Sequence, residues 1–124
     1  MTTGIRISWP AGSVTAELQP GPTTEKLLAV LPCSSRVNTW GEEVYFDVPV
    51  TEDLEAGAQQ VVAPGTVCFW VEGSALALPW GRTPISKADE CRLASACNVL
   101  GRILGDPSVL KSARSGDTIR VERV

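Results

Sequence analysis

The sequence predicts a mainly β domain of seven or eight short strands with two short helices. Three observations carry this reading. Apolar residues recur with a period of two over short runs, at Ile5, Ile7 and Trp9 and again at Val14, Ala16 and Leu18. Glycine and proline break these runs repeatedly, at Pro10, Gly12, Gly21, Pro22, Gly41, Pro64, Gly65 and Gly73. A chain of 124 residues that is 44% hydrophobic and only 20% charged is long and apolar enough to bury one core unaided, so one domain over residues 1–124 is expected.

Ile5, Ile7 and Trp9 alternate with Arg6 and Ser8 as far as Pro10-Ala11-Gly12, and Val14, Ala16 and Leu18 then alternate with Ser13, Thr15 and Glu17, which makes an opening β-hairpin. Gly21-Pro22 ends it. From Thr23 the period changes: Leu27, Leu28, Val30 and Leu31 share one helical side, Glu25 lies where the positive helix end favours an anion, and Pro32 stops the run. Val37, Thr39, Val44, Tyr45, Phe46 and Val48 favour two strands around a bend at Gly41. Residues 51–57 are acidic and read as a surface loop. Residues 59–62 and 67–72 flank Ala63-Pro64-Gly65 and predict another hairpin, with Leu76 and Leu78 extending the sheet.

Residues 86–104 carry two patterns at once. Ser86 with Asp89 resembles a helix N-terminal cap, and on a wheel Arg92, Ser95, Asn98 and Arg102 oppose Leu93, Ala96, Cys97, Leu100 and Leu104. Residues 98–103 fit equally a strand interrupted by Gly101. Asp106 as cap and Pro107 as first residue then begin a short helix through Ala113, and Ser115-Gly116-Asp117 turns the chain into a last strand over residues 118–124.

Several classes of function are excluded or disfavoured. The net charge is −3 and the 11 Lys and Arg residues never cluster, so there is no electrostatic footprint for nucleic acid. No basic leader and no apolar window near ~20 residues occur, so a cytoplasmic protein with no membrane partner is expected. Cys33, Cys68, Cys91 and Cys97 are too scattered for a zinc ribbon and are expected as reduced thiols, Cys68 as a small core residue. Histidine is absent altogether, which removes Ser-His-Asp and Cys-His mechanisms, the histidine base and imidazole metal sites. Neither a metal nor a cofactor is expected.

Residues 13–31 resemble the hairpin strand, proline and first helix of cyclophilins, residues 98–103 their late glycine-containing strand, and residues 107–124 their closing helix and strand. Residues 36–46, with Trp80-Gly81-Arg82-Thr83-Pro84, resemble a small group of short microbial proteins that have a minimal cyclophilin-like barrel. The resemblance implies a closed cyclophilin-like β-barrel of about eight strands with a helix over each open end, and it makes residues 98–103 a strand. Cyclophilins isomerise the bond before proline with an arginine that bonds the proline nitrogen. Arg36 alone stands near that position here, without the flanking Phe-His and Phe-Met-x-Gln motifs and without the pocket histidine.

The candidate site lies around two glycine turns. Trp40, Trp70 and Trp80 are either barrel packing or the platform for an apolar group or a cation. Glu42 and Glu43 alternate along a strand and so face opposite ways, which rules out a shared dyad. Whichever is buried is either a general base or the partner of Arg36 or Arg82, with the ion pair preferred. Arg82-Thr83 after Gly81 forms either a plain turn or a holder for an anionic or carbonyl group, and Asn98 and Arg92 are candidates for the same mouth.

The expected function is binding of a small molecule or peptide segment by Trp40, Glu42, Tyr45, Trp80, Arg82, Thr83 and Asn98, without strong catalysis. The alternatives are weak prolyl isomerisation through Arg36 or carboxylate-dependent hydrolysis with Glu42 or Glu43 as base. A homodimer formed through the exposed barrel surface is a third expectation.

Overall fold

Alternating strands close on themselves in the computed structural model, which describes residues 1–124. Strand β1 (Thr3–Trp9) and β2 (Gly12–Leu18) form the expected hairpin, followed by helix α1 (Pro22–Val30). Then come β3 (Cys33–Arg36), β4 (Asn38–Thr39), β5 (Glu43–Asp47), β6 (Gln59–Val62), β7 (Thr66–Trp70), β8 (Ala75–Pro79) and the long β9 (Cys91–Leu104). A 3-10 helix (Pro107–Ser112) and β10 (Thr118–Arg123) complete the chain.

The pairing is antiparallel throughout and runs β3-β10-β1-β2-β9-β7-β8-β5-β4. Its two ends are one piece of chain. β3 pairs with β10, β4 pairs with β5, and only Val37 separates them, exchanging backbone hydrogen bonds with Asp117 (2.9 Å) and Gly116 (2.8 Å). Counting β3 and β4 as one bent strand gives eight staves in a nearly closed barrel, the architecture that the sequence and the resemblance predict. Alternate residues point inward and make the main core, among them Ile5, Ile7, Leu18, Phe46, Phe69, Leu76, Leu78, Ile119 and Val121. No helix is long and apolar enough to cross a membrane.

One expectation is corrected here and one ambiguity is resolved. β6 and β7 turn at Gly65 (φ 88°) but do not pair with each other; each pairs with a different part of β9. Of the two patterns over residues 86–104 the strand is the one formed, as the resemblance implies for residues 98–103. Ser86 caps nothing helical: its hydroxyl accepts from the backbone N–H groups of Thr83 (2.9 Å) and Arg92 (3.1 Å), fastening a loop to the start of β9. β9 is extended because strands pair along its length, β6 over residues 91–97, β7 over 98–102 and β2 over 101–104, and tertiary pairing overrides an ambiguous local period.

β9 is also what gives the fold its second layer. The register against β7 slips between Val67 and Cys68, a bulge that bends the strand. Gly101 sits at this bend, where an added Cβ would lie 1.9 Å from the Glu17 carbonyl oxygen, so no other residue fits without moving β2. Residues 101–104 stay in the barrel wall with β2, while residues 91–97 pair with β6. Leu93, Cys91 and Cys97 from this first half pack with Val62, Cys68 and Ala77 into a second, smaller apolar cluster outside the barrel. β7 and β8 are therefore buried on both faces, which explains why β8 reads Ala-Leu-Ala-Leu-Pro with every residue buried.

Candidate functional site

The second layer leaves a cavity of about 280 Å³ lined by Trp40, Glu43, Tyr45, Trp70, Ala77, Leu93, Ala94 and Cys97. Strand alternation builds its floor. Val44 and Phe46 of β5 turn into the barrel, so Glu43 and Tyr45 project outward, beside Ala77 on β8. β9 supplies the opposite wall through Leu93, Ala94 and Cys97. The Tyr45 and Trp70 rings meet edge to face, 6.4 Å between centroids and 84° apart. The Trp70 indole N–H donates to Ser95 Oγ at 2.9 Å, which fixes the ring. A Cβ on Gly73 would come 2.3 Å from the same ring, so the turn after β7 has no side chain where Trp70 lies.

Glu43 is the one acidic residue in this apolar lining. It is 6% exposed, and its Oε1 is buried with no hydrogen-bond partner. Burial alone pushes its carboxyl up to about 7, because the ionised form loses water and gains nothing in exchange. The ion pair to Arg36 or Arg82 expected from sequence is not formed: the salt bridges join other residues, and none reaches Glu43. The surrounding thiols are held neutral. Burial raises Cys91, raises Cys97 to about 12 and sends Cys68 well above its ordinary value, with the charge of Glu43 adding to each. No group of three or more His, Cys, Asp or Glu side chains is arranged to hold a metal ion.

The two glycine turns do converge, as the candidate site requires. Glu42 N–H donates to the Arg82 carbonyl (2.7 Å), and its carboxylate accepts from the Arg82 N–H (2.9 Å). Gly41 (φ 59°) lets the backbone pass there, since a Cβ would meet the Arg82 carbonyl oxygen at 2.9 Å. Glu42 is thus a turn fastener, exposed to solvent, and with Trp80 it lines a second, more polar recess of about 390 Å³ beside Lys111 and Arg114.

The other sequence candidates separate by role. Trp40, Glu43 and Tyr45 come together in the apolar pocket. Thr83 is 4% exposed, bonds the Arg92 carbonyl through its hydroxyl and holds the loop before β9. Arg82 is exposed, and its guanidinium donates to the Ser86 carbonyl at 3.3 Å. Asn98 is fully buried and lines neither cavity: its Oδ1 accepts from Glu55 N–H (2.7 Å) and its Nδ2 donates to Thr23 Oγ1 (3.0 Å) and the Asp53 carbonyl (3.0 Å). It ties residues 53–55 to the start of α1, where Glu55 also accepts from the Thr23 N–H. Arg36 is exposed and donates to the Gly116 carbonyl at 3.0 Å, outside both cavities. Arg92 is engaged by Glu90.

Ala77, Leu93, Ala94 and Cys97 were missed as lining residues. The signal for Ala77 was present: residues 67–71 and 75–79 are continuously apolar, the mark of strands covered on both faces.

The strand order, the bent closing strand and the two short helices define a cyclophilin-like barrel carrying an added outer layer. The sequence pattern of the family described as Cyclophilin-like matches residues 3–122, and the chain belongs to that family. A comparison with solved structures finds the solution structure of a hypothetical protein from Archaeoglobus fulgidus. It is 34% identical, with a TM-score of 0.85 over 99% of this chain and 95% of that one. A comparison with curated proteins finds no match.

Proposed function

We propose that this protein is a small-molecule-binding module whose ligand enters the apolar pocket on the outer face of the barrel and is anchored by Glu43. The observation that carries the reading is Glu43, which lines an apolar cavity and whose buried Oε1 has no hydrogen-bond partner. Leaving a buried acceptor unsatisfied costs about 1–3 kcal/mol, and a ligand that donates to it recovers that cost. The remaining lining is aromatic and aliphatic, as in pockets that hold most of a ligand by burial and orient it with a few polar atoms.

Ala94 offers a clean test, because it is exposed at the pocket wall and enlarging it disturbs no core packing. A fragment library followed by tryptophan fluorescence and by amide NMR shifts is expected to give saturable changes centred on Trp40, Tyr45 and Trp70, abolished in Ala94→Trp. Responses that never saturate, or that persist unchanged in Ala94→Trp, would remove the reading.

A second reading, Glu43 as the general base of a hydrolase, is favoured by its carboxyl value of about 7, which matches proton transfer near neutrality. Hydrolysis across an ester panel with a rate that rises through pH 7 and disappears in Glu43→Gln would support it, and wild-type rates equal to buffer would end it.

A further inference from the structure

The ligand's chemistry can be narrowed further, on the basis of the pocket reading above. We propose that the pocket takes a small organic ammonium ion, with its N–H donating to the Glu43 carboxylate and its hydrocarbon part lying among Trp40, Tyr45 and Trp70.

The electrostatic features around the cavity share one sign. Glu43 presents a carboxyl oxygen with no donor. A second carboxylate stands at the rim: Ser95 Oγ, which holds the Trp70 indole, donates in turn to Glu72 Oε2 at 3.2 Å. Glu72 lies close enough to the lining residue Cys97 to oppose ionisation of its thiol. No lysine or arginine pairs with Glu43 or Glu72. Aromatic faces carry negative potential, and three aromatic side chains line this cavity, two of them perpendicular to each other. An anion placed here meets carboxylate and π-cloud together. A neutral donor satisfies Oε1 but leaves the field of the rings unused. An alkylammonium ion uses both, and its methylenes cover the apolar remainder. A cavity of about 280 Å³ suits a ligand at the small end of the small-molecule range.

Binding should depend on pH through Glu43. The titratable groups facing it are Tyr45 on its own strand, Cys68 on β7 and Cys91 and Cys97 on β9, these thiols all held above the ordinary value; Glu43 also borders the second recess, where Glu42, Lys111 and Arg114 stand without a salt bridge to it, and Arg92 is paired with Glu90. The cation binds the carboxylate form. Its affinity is therefore full above pH 7 and weakens about tenfold from pH 8 to pH 6.

The experiment uses three ligands of one shape, cyclohexylamine, cyclohexanol and cyclohexanecarboxylate, titrated into the wild-type chain and Glu43→Gln by tryptophan fluorescence and amide NMR. The expected result is that at pH 8 the amine binds at least tenfold more tightly than the alcohol. That advantage shrinks about tenfold by pH 6 and is lost in Glu43→Gln, whose dispersed amide spectrum shows an intact fold. Equal or tighter binding of the alcohol or the carboxylate, or an amine preference that survives Glu43→Gln, overturns the ammonium assignment and leaves the pocket reading standing. Failure of all three to perturb the lining residues overturns both.

Discussion

Glu43 makes the folded state hold a proton that the unfolded chain releases, and this gives stability a measurable slope with pH. The carboxyl value is about 7 in the fold against 4.5 for the ordinary group, a rise caused by burial alone. The native state therefore binds more protons than the unfolded state between these values. Stability contributed at this site is full below about pH 4.5, falls as pH rises through 7, and is level above it. Integrated from pH 5 to pH 8, the loss is about 2–3 kcal/mol, from ~1.4 kcal/mol for each pH unit of difference.

The other shifted groups titrate outside this window. Glu52, Glu90 and Asp106 are lowered by hydrogen bonds, so their contributions are lost only at more acidic pH, and the four cysteines are raised and ionise at more alkaline pH. Urea unfolding at pH 5, 6, 7 and 8 is the assay. With a slope of about 1–3 kcal/mol/M, the wild-type midpoint is expected to drop by roughly 1–2 M across the series, while Glu43→Gln stays nearly flat. Parallel curves for the two proteins would refute the reasoning, since they would mean that Glu43 is solvated or paired in the folded state.

The other predictions concern what holds the pocket in place. Gly101→Ala should destabilise the protein by ~2–3 kcal/mol or more, because its Cβ would stand 1.9 Å from a backbone oxygen that cannot swing aside; an unchanged melting temperature would contradict the close approach of β2 and β9. Asn98→Ala strips partners from Glu55 N–H, Thr23 Oγ1 and the Asp53 carbonyl, so a loss of about 2–3 kcal/mol with faster amide exchange at Glu55 is expected, and undiminished stability would refute its role as a tie. Gly73→Ala pushes a methyl group to 2.3 Å from the Trp70 ring, so ligand-induced fluorescence changes should weaken more than stability does, and unchanged ligand titrations would argue against Trp70 as a pocket wall.

The barrel was legible because period-two alternation records one buried face, and β1, β2 and β10 have one buried face each. Closure was not legible from alternation, since it depends on Val37 joining β3 and β4, which pair with partners far apart in the chain. Residues 86–104 misled the wheel for a related reason: β9 changes neighbours along its length and bends at Gly101, so its buried positions follow no single period. Alternation read Glu42 and Glu43 as facing opposite ways, and Glu42 is exposed while Glu43 is buried. The ion pair assigned to it failed because sequence distance says nothing about which cation a turn brings near, and the Arg82 backbone N–H is satisfied by Glu42 instead.

The same bend connects the fold to the proposed activity. A barrel of eight staves fills its interior with side chains, and Phe46, Phe69, Leu76 and Leu78 do so here, leaving the inside to packing. A ligand site then needs a second surface facing the barrel wall. β9 provides it by leaving the wall at the bulge opposite Val67 and Cys68 and carrying Leu93 and Cys97 over β7 and β8. Covering that wall is also what strips water from Glu43, because without the outer layer a residue on the outward face of β5 would be solvated. The strand that creates the cavity thus creates the unsatisfied carboxyl within it. Shortening β9 and β6 together should accordingly return Glu43 to an ordinary carboxylate range and abolish ligand binding in one step, and a carboxyl value still near 7 by NMR titration after that change would separate the two.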